Sequence, residues 1–274
     1  MIQDIAPYTF RNHYEDRKPD KDSVIFFFND QEVMAKSEEG KIIYPTYGEL
    51  TSEPSTCIYL FAIDEQTFFL ALDRPDPGLQ DYTFLSTQLF RTSGPRHLAF
   101  AGITAHQLYK WYRGNRYCCR CGALLTHSKE ERMLKCVTCG SMLYPKISPV
   151  VIIGVTDGDK LLLIKHAGGR SNYALVAGFT EVGETIEETV AREVMEEVGL
   201  RVKNTRYYKS QPWSYSESLL FGFYTELDGP QEIHVDNKEV AEGTWFHRSD
   251  IPVEPQDFSL TNEMIIHFKK GGGA

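Results

Sequence analysis

Gly178-Phe179-Thr180-Glu181-Val182-Gly183-Glu184-Thr185, continuing as Ile186-Glu187-Glu188-Thr189-Val190-Ala191-Arg192-Glu193-Val194-Met195-Glu196-Glu197-Val198-Gly199-Leu200, divides into a glycine-bearing loop, a helix and a stop. Thr185 or Glu184 can cap a helix over residues 186–198, whose first turn is acidic, as the helix dipole favours. Gly199 is placed to end it in a left-handed conformation. Ile186, Val190, Val194 and Val198 recur every four residues and form an apolar stripe that needs a core. Glu193, Glu196 and Glu197 stand at i, i+3 and i+4, so their carboxylates should project from nearly one face. Three crowded like charges destabilise a helix unless cations join them, and Arg192 offsets only part of that charge. Divalent cations that take oxygen ligands and share them with phosphates answer the remainder.

The flanks supply the sheet for that helix. Residues 148–157 (SPVVIIGVTD) and 160–166 (KLLLIKH) read as strands around the hairpin signal Asp157-Gly158-Asp159. Residues 172–180, 201–213, 218–227 and 242–248 read as further strands, which suits a mixed sheet with helices packed on its faces.

Upstream, residues 24–30, 57–63 and 67–73 are short aromatic and β-branched runs, so the first hundred residues read as mainly β. Asp64-Glu65-Gln66 suggests a hairpin, residues 74–82 a breaker segment, and residues 97–113 a helix. This region shows no recognisable chemistry and reads as a scaffold or dimerisation domain.

Five of the six cysteines fall between Cys118 and Cys139. Cys118/Cys121 and Cys136/Cys139 form two C-x₂-C pairs, each beside a glycine. That spacing is the one used by closed, structural four-cysteine zinc sites. Cys119 breaks the two-residue spacing and is left out, while Cys57, alone in an apolar run, reads as a buried core thiol.

At 274 residues the chain is long enough for one large or two modest cores, with 42% apolar and 24% charged residues. A net charge of −9 argues against broad nucleic-acid or membrane-surface binding. No apolar run is long enough to span a membrane, and the charged N-terminus lacks a signal-peptide core, so a cytoplasmic location is expected.

Residues 178–200 resemble the Nudix box, the signature of hydrolases that cleave nucleoside diphosphates linked to another moiety. Ser210-Gln211-Pro212-Trp213-Ser214-Tyr215-Ser216-Glu217-Ser218 resembles the SQPWPFPxS motif of the NADH pyrophosphatase (NudC-type) branch. It departs from that motif at Ser214 and Ser216, where the family has proline, and at Tyr215, where it has phenylalanine. The order of an N-terminal domain, a zinc ribbon and a Nudix domain is also similar to that branch.

The resemblance implies an α+β or α/β Nudix fold over residues 146–270, with a mixed sheet between helices. Before it stand a zinc ribbon at 114–145 and a mainly β domain at 1–113, and residues 271–274 make a flexible tail. It implies Mg²⁺ or Mn²⁺ on Glu193, Glu196, Glu197, Glu239 and the Ala177 carbonyl, with Arg192 and Glu184 in support and structural Zn²⁺ on the four cysteines. Substrate contacts carried over are Tyr144, acting across a homodimer, residues Gln211 to Ser218, and Thr261. Arg91 is a further phosphate or base contact considered in the first domain.

The implied reaction is hydrolysis of NADH or NAD⁺ to AMP and nicotinamide mononucleotide, with removal of NAD caps from RNA as a second activity. Two alternatives stay open: a hydrolase preferring ADP-ribose or another nucleotide sugar, and a module that binds nucleotides or RNA without hydrolysing them.

Overall fold

A computed structural model describes residues 1–72, 75–76, 78–167, 172–235 and 238–273. The run at 67–73, the breaker segment at 74–82 and the tail therefore lie partly outside the described residues. The chain divides into two compact units, Ile2–Lys146 and the residues from Ile147 onward together with Met1. Among the described residues, no helix is long and apolar enough to cross a membrane.

In the second unit the Ser148–Asp157 strand is central. Along one edge it runs parallel to Ser218–Leu227. Its other edge is shared: Val150 to Ile153 pair antiparallel with Val176–Phe179, and Thr156 and Asp157 with Lys160–His166. Val202–Trp213 and Val240–His247 complete the outer positions, giving a six-stranded mixed sheet.

Side chains along the central strand alternate between two cores, as a period of two requires. Val151, Ile153 and Val155 face Val190, Val194 and Val198 of the Ile186–Val198 helix. Val150 and Ile152 face Leu260, Met264 and Phe268 of the Leu260–Lys269 helix. Each fully buried valine on the first helix contributes on the order of 1.5–3 kcal/mol, so packing rather than helix propensity holds it in place.

The first helix occupies the span expected from the sequence. Of the two expected caps, Thr185 is the one used: its hydroxyl accepts from the Glu188 amide at 3.2 Å, and the Glu188 carboxylate accepts from the Thr185 amide at 2.8 Å. Gly199 closes the helix at φ 69°. The Leu260–Lys269 helix was not anticipated as an element. It starts at a Ser259 cap that accepts from the Asn262 amide.

Among the described residues, the first unit carries three small sheets, one of them in the cysteine ribbon (Leu125–His127, Leu134–Cys136 and Met142–Leu143), and the Arg96–Gly114 helix. Cys57–Ile63 and Gln66–Ala71 form the expected hairpin, between Phe10–Arg11 and Val24–Phe26. The run at 24–30 is split, because Phe28–Asn29 leaves that sheet to pair with Glu32–Glu38. Glu32–Glu38, Lys41–Ile43 and Thr83–Ser86 make up the rest of the second sheet. The Arg96–Gly114 helix buries Phe100, Ile103, Leu108 and Trp111. Cys57 is only half-buried, because it opens its strand instead of sitting within it.

Candidate functional site

Two clusters of chemistry-bearing side chains stand out, one in each unit.

In the first unit, residues 117–124 and 135–141 form matching knuckles. The Cys118 amide donates to the Ala123 carbonyl and the Cys136 amide to the Ser141 carbonyl, each at 2.8 Å. Gly122 and Gly140 donate back to the Cys118 and Cys136 carbonyls and adopt φ of +74° and +75°, a conformation that favours glycine. The sulfur atoms of Cys118, Cys121, Cys136 and Cys139 lie within 4.8 Å of one another. The closest pairs are Cys121–Cys136 at 3.4 Å and Cys118–Cys139 at 3.6 Å.

Four thiolates about 2.3 Å from one tetrahedral zinc would sit about 3.8 Å apart, so the cluster fits zinc. The Ser141 hydroxyl, 3.3 Å from Cys139 Sγ, together with the Ser141 amide lowers the Cys139 thiol to about 6. Thiolate, the metal-binding form, is therefore favoured there. Cys119 is exposed and outside the cluster.

In the second unit, Arg192 is the hub of the carboxylates. Its Nε donates to Glu184 Oε1 at 2.5 Å, and one terminal nitrogen donates to Glu184 Oε2 at 2.9 Å and to the Phe179 carbonyl at 2.8 Å. The other terminal nitrogen donates to Glu193 Oε1 at 2.6 Å and Glu196 Oε2 at 3.0 Å. Glu184 also accepts from the Glu181 amide and the Thr189 hydroxyl. The Arg192 guanidinium and these other donors hold its carboxyl down to about 2. Glu184 thus clamps the loop onto the helix as a permanent anion.

Glu193 and Glu197, at 8% and 4% exposure, are buried against the sheet, whereas Glu196 is exposed. Glu193 and Glu196 both accept from the same Arg192 terminal nitrogen, so these two carboxylates converge on one cation although their burial differs. Among the described residues, the four cysteines are the only set of three or more potential ligands gathered within 4.8 Å. Burial pushes the Glu193 carboxyl up; Arg192 opposes this, and the charges of Glu196 and Glu239 add to it. Glu239, on the exposed residues before the last strand, therefore lies within electrostatic reach of Glu193.

Gly178 explains how Glu193 comes so close to the sheet. A Cβ there would fall 1.9 Å from Glu193 Cδ and 2.1 and 2.2 Å from its oxygens. The strand has a notch that the carboxylate fills. Ala177, paired with Ile152, turns its side chain to the opposite core. A notch of this kind beside two buried carboxylates is a donor set suited to hard divalent cations.

The Trp213 hairpin also has a defined geometry. Trp213 pairs with Ser218, and Ser214 to Glu217 form the turn, with Glu217 at φ 56°. Trp213, Tyr215 and Phe258 form an aromatic cluster with centroids 5.3–5.9 Å apart. Ser216 and Ser218 hydroxyls are 3.0 Å apart. Ser214 is buried, and Pro212 and Ser216 are exposed.

Gln211, the first of the expected substrate contacts in this motif, is tied into the interior. It is fully buried; its amide nitrogen donates to the Phe258 carbonyl at 3.0 Å and its oxygen accepts from the Leu260 amide at 2.7 Å. Thr261 lines a cavity of about 350 Å³ with Asn172, Tyr173 and Glu254. Tyr144 belongs to the first unit, is exposed, and donates to Glu131 at 3.0 Å. Arg91, also in that unit, donates to the Gln88 side chain.

Sequence reasoning missed Phe179, Phe258 and Glu131. Phe179 is a large side chain left 53% exposed at the strand end whose carbonyl holds Arg192. Its place immediately after the notch glycine was the available signal.

A sheet between two helices, with a glycine loop clamped by arginine onto a carboxylate helix, defines the class: residues 146–266 match the NUDIX domain family, and this part of the chain is a Nudix domain. Within that class the chain is 41% identical over 174 residues to the NAD-capped RNA hydrolase NudC of Salmonella paratyphi C, covering 63% of this chain and 66% of the relative. It is 41% identical over 160 residues to the Escherichia coli SMS-3-5 protein of the same name, covering 58% and 62%. The chain thus spans less than two thirds of the length of these curated relatives, 66% and 62%. A NUDIX hydrolase structure from Nitrosomonas europaea aligns over 57% of this chain and 92% of its own, at 23% identity and a TM-score of 0.49.

Proposed function

We propose that this protein hydrolyses the pyrophosphate bond of NADH or NAD⁺, giving AMP and nicotinamide mononucleotide, and cuts the same bond in the NAD cap of RNA. The observation carrying the reading is the Gly178 notch filled by the Glu193 carboxylate, under an arginine that bridges loop and helix. Structural packing alone does not require a buried carboxylate there, since an apolar side chain would fill the same space without the desolvation cost. The similarity to NAD-capped RNA hydrolases supports the substrate class.

Glu193 and Glu197, with Glu196, Glu239 and the Ala177 carbonyl near them, would hold Mg²⁺ or Mn²⁺. Bound there, such ions neutralise phosphate charge and lower the pKa of an attacking water. Arg192 and Glu184 keep the loop closed on the helix, so the carboxylates are pre-positioned before substrate arrives. Phe179 and the Trp213–Tyr215–Phe258 cluster offer aromatic faces for a base or nicotinamide ring. Zn²⁺ on the four cysteines braces the knuckles. A homodimer, as the family resemblance implies, and the cytoplasmic location expected from the sequence accompany the reading.

Incubation with NADH and Mg²⁺ should release AMP, identified by chromatography. If ADP-ribose is turned over much faster, the substrate assignment is wrong. Tight dinucleotide binding without product would favour a binding module.

Two variants probe the parts separately. Trp213→Ala removes one stacking face worth about 1–3 kcal/mol. It should raise KM for NADH roughly tenfold while kcat stays within about twofold. A collapse of the thermal transition instead would make Trp213 a packing residue. Cys136→Ser should abolish zinc retention by elemental analysis and lower the melting temperature by several degrees, because metal binding here is also folding energy. Full zinc stoichiometry in that variant would refute the four-cysteine site.

A further inference from the structure

The acidic chain contains a basic island. Residues 96–146 hold nine lysines and arginines against two carboxylates, Glu130 and Glu131, although the whole chain carries −9. The island coincides with the Arg96–Gly114 helix and the cysteine ribbon, both within the first unit. Between them and the Phe28–Asn29 and Gln66–Ala71 strands lies an open cavity of about 780 Å³. That volume is in the range of about 300–1,000 Å³ found for ligand sites.

The lining combines flat rings with cations. Tyr112 and His127 stack with centroids 5.1 Å apart and 21° between planes. Arg113 and Arg116, both exposed, border the same space. Arg113 is held in place by the Tyr109 hydroxyl at 2.6 Å and by Asp30. Arg116 is anchored through its backbone, where its carbonyl accepts from the Leu125 amide at 3.0 Å. Aromatic faces interleaved with cations are how proteins bind single-stranded nucleic acid, since every base has a stacking face and every linkage a phosphate.

We propose that this cavity is a seat for single-stranded RNA, with a base against the exposed His127 ring, which the buried Tyr112 ring backs, and neighbouring phosphates on Arg113 and Arg116. The proposal deepens the reading of capped RNA as a substrate, to which it adds a second contact remote in sequence from the Nudix carboxylates. It is compatible with the net charge of −9, which argues against broad nucleic-acid binding but not against a local basic patch.

The test is fluorescence anisotropy of the full-length, zinc-loaded protein with an uncapped, labelled single-stranded RNA of roughly 16 nucleotides, the upper end of what small single-strand binding folds cover. Wild type should bind, with affinity falling as salt rises. Arg116→Gln should weaken binding several-fold and reduce the salt slope by about 1. Combined with His127→Ala it should weaken binding at least about tenfold, while NADH turnover and the melting temperature stay unchanged.

Absence of oligonucleotide binding by wild type overturns the proposal, and so does wild-type affinity in the double variant. Equal binding of a duplex of the same sequence would also overturn it, because paired bases cannot stack in the cavity. Arg116→Gln alone, at an exposed position, guards against misfolding of the double variant. If wild type binds this RNA through the cavity yet releases no AMP from NADH, the hydrolase reading fails and the seat stands.

Discussion

Gly178→Ala is expected to leave a folded protein with kcat/KM for NADH reduced about a hundredfold. The added methyl would lie 1.9 Å from Glu193 Cδ, where non-bonded carbons need roughly 3.5–4 Å. The strand is pinned by its pairing with Val151 and the helix by its three buried valines, so the carboxylate must move. A displacement of about 1 Å in a catalytic group costs on the order of 100-fold in rate. Stability should change much less, because alanine suits a strand better than glycine does and Glu193 can swing toward solvent. Steady-state AMP release and thermal melting on the same preparation measure both. Unchanged turnover would show that the notch does not position Glu193 for chemistry.

Glu197→Gln should have a comparable or larger effect with a different signature. The substitution keeps size and shape at a position only 4% exposed and removes one negative charge. If Glu197 binds a cation or moves a proton, losing that charge costs about 10²–10⁴-fold in turnover. The half-saturating Mg²⁺ concentration should rise as well. Folding should be unharmed or improved, since one of two buried carboxylates four residues apart becomes neutral. Wild-type turnover at the same Mg²⁺ concentration would remove Glu197 from the site.

The helix at Ile186–Val198 was legible to the residue because its cap, its valine stripe and its terminal glycine all agree. Ser148–Asp157, Lys160–His166 and Ser218–Leu227 also have the spans read from sequence, each an apolar run with clear ends. Glu32–Glu38 escaped because EVMAKSE lacks the aromatic and β-branched run that marked its neighbours. The Leu260–Lys269 helix is short, and the sequence reading singles out only Thr261 within it, as a substrate contact. At the site, residue types were readable but their division of labour was not. Gly178 looks like loop flexibility until strand register and helix packing place Glu193 over it. Gln211 looks like a ligand contact because nothing local reveals that residues nearly fifty positions later will surround it.

That buried amide has a consequence for how the chain tolerates shortening. Gln211 joins the strand leading into the Trp213 turn to both Phe258 and the first residue of the last helix. The aromatic cluster and the helix start are therefore one mechanical piece. A chain cut before Leu260 would lose more than a terminal helix: it would strand the Gln211 oxygen in the interior, at a cost of about 1–3 kcal/mol, and release the turn that carries Trp213 and Tyr215. Insertions between residues 213 and 218 should disturb the fold less than a cut before Leu260.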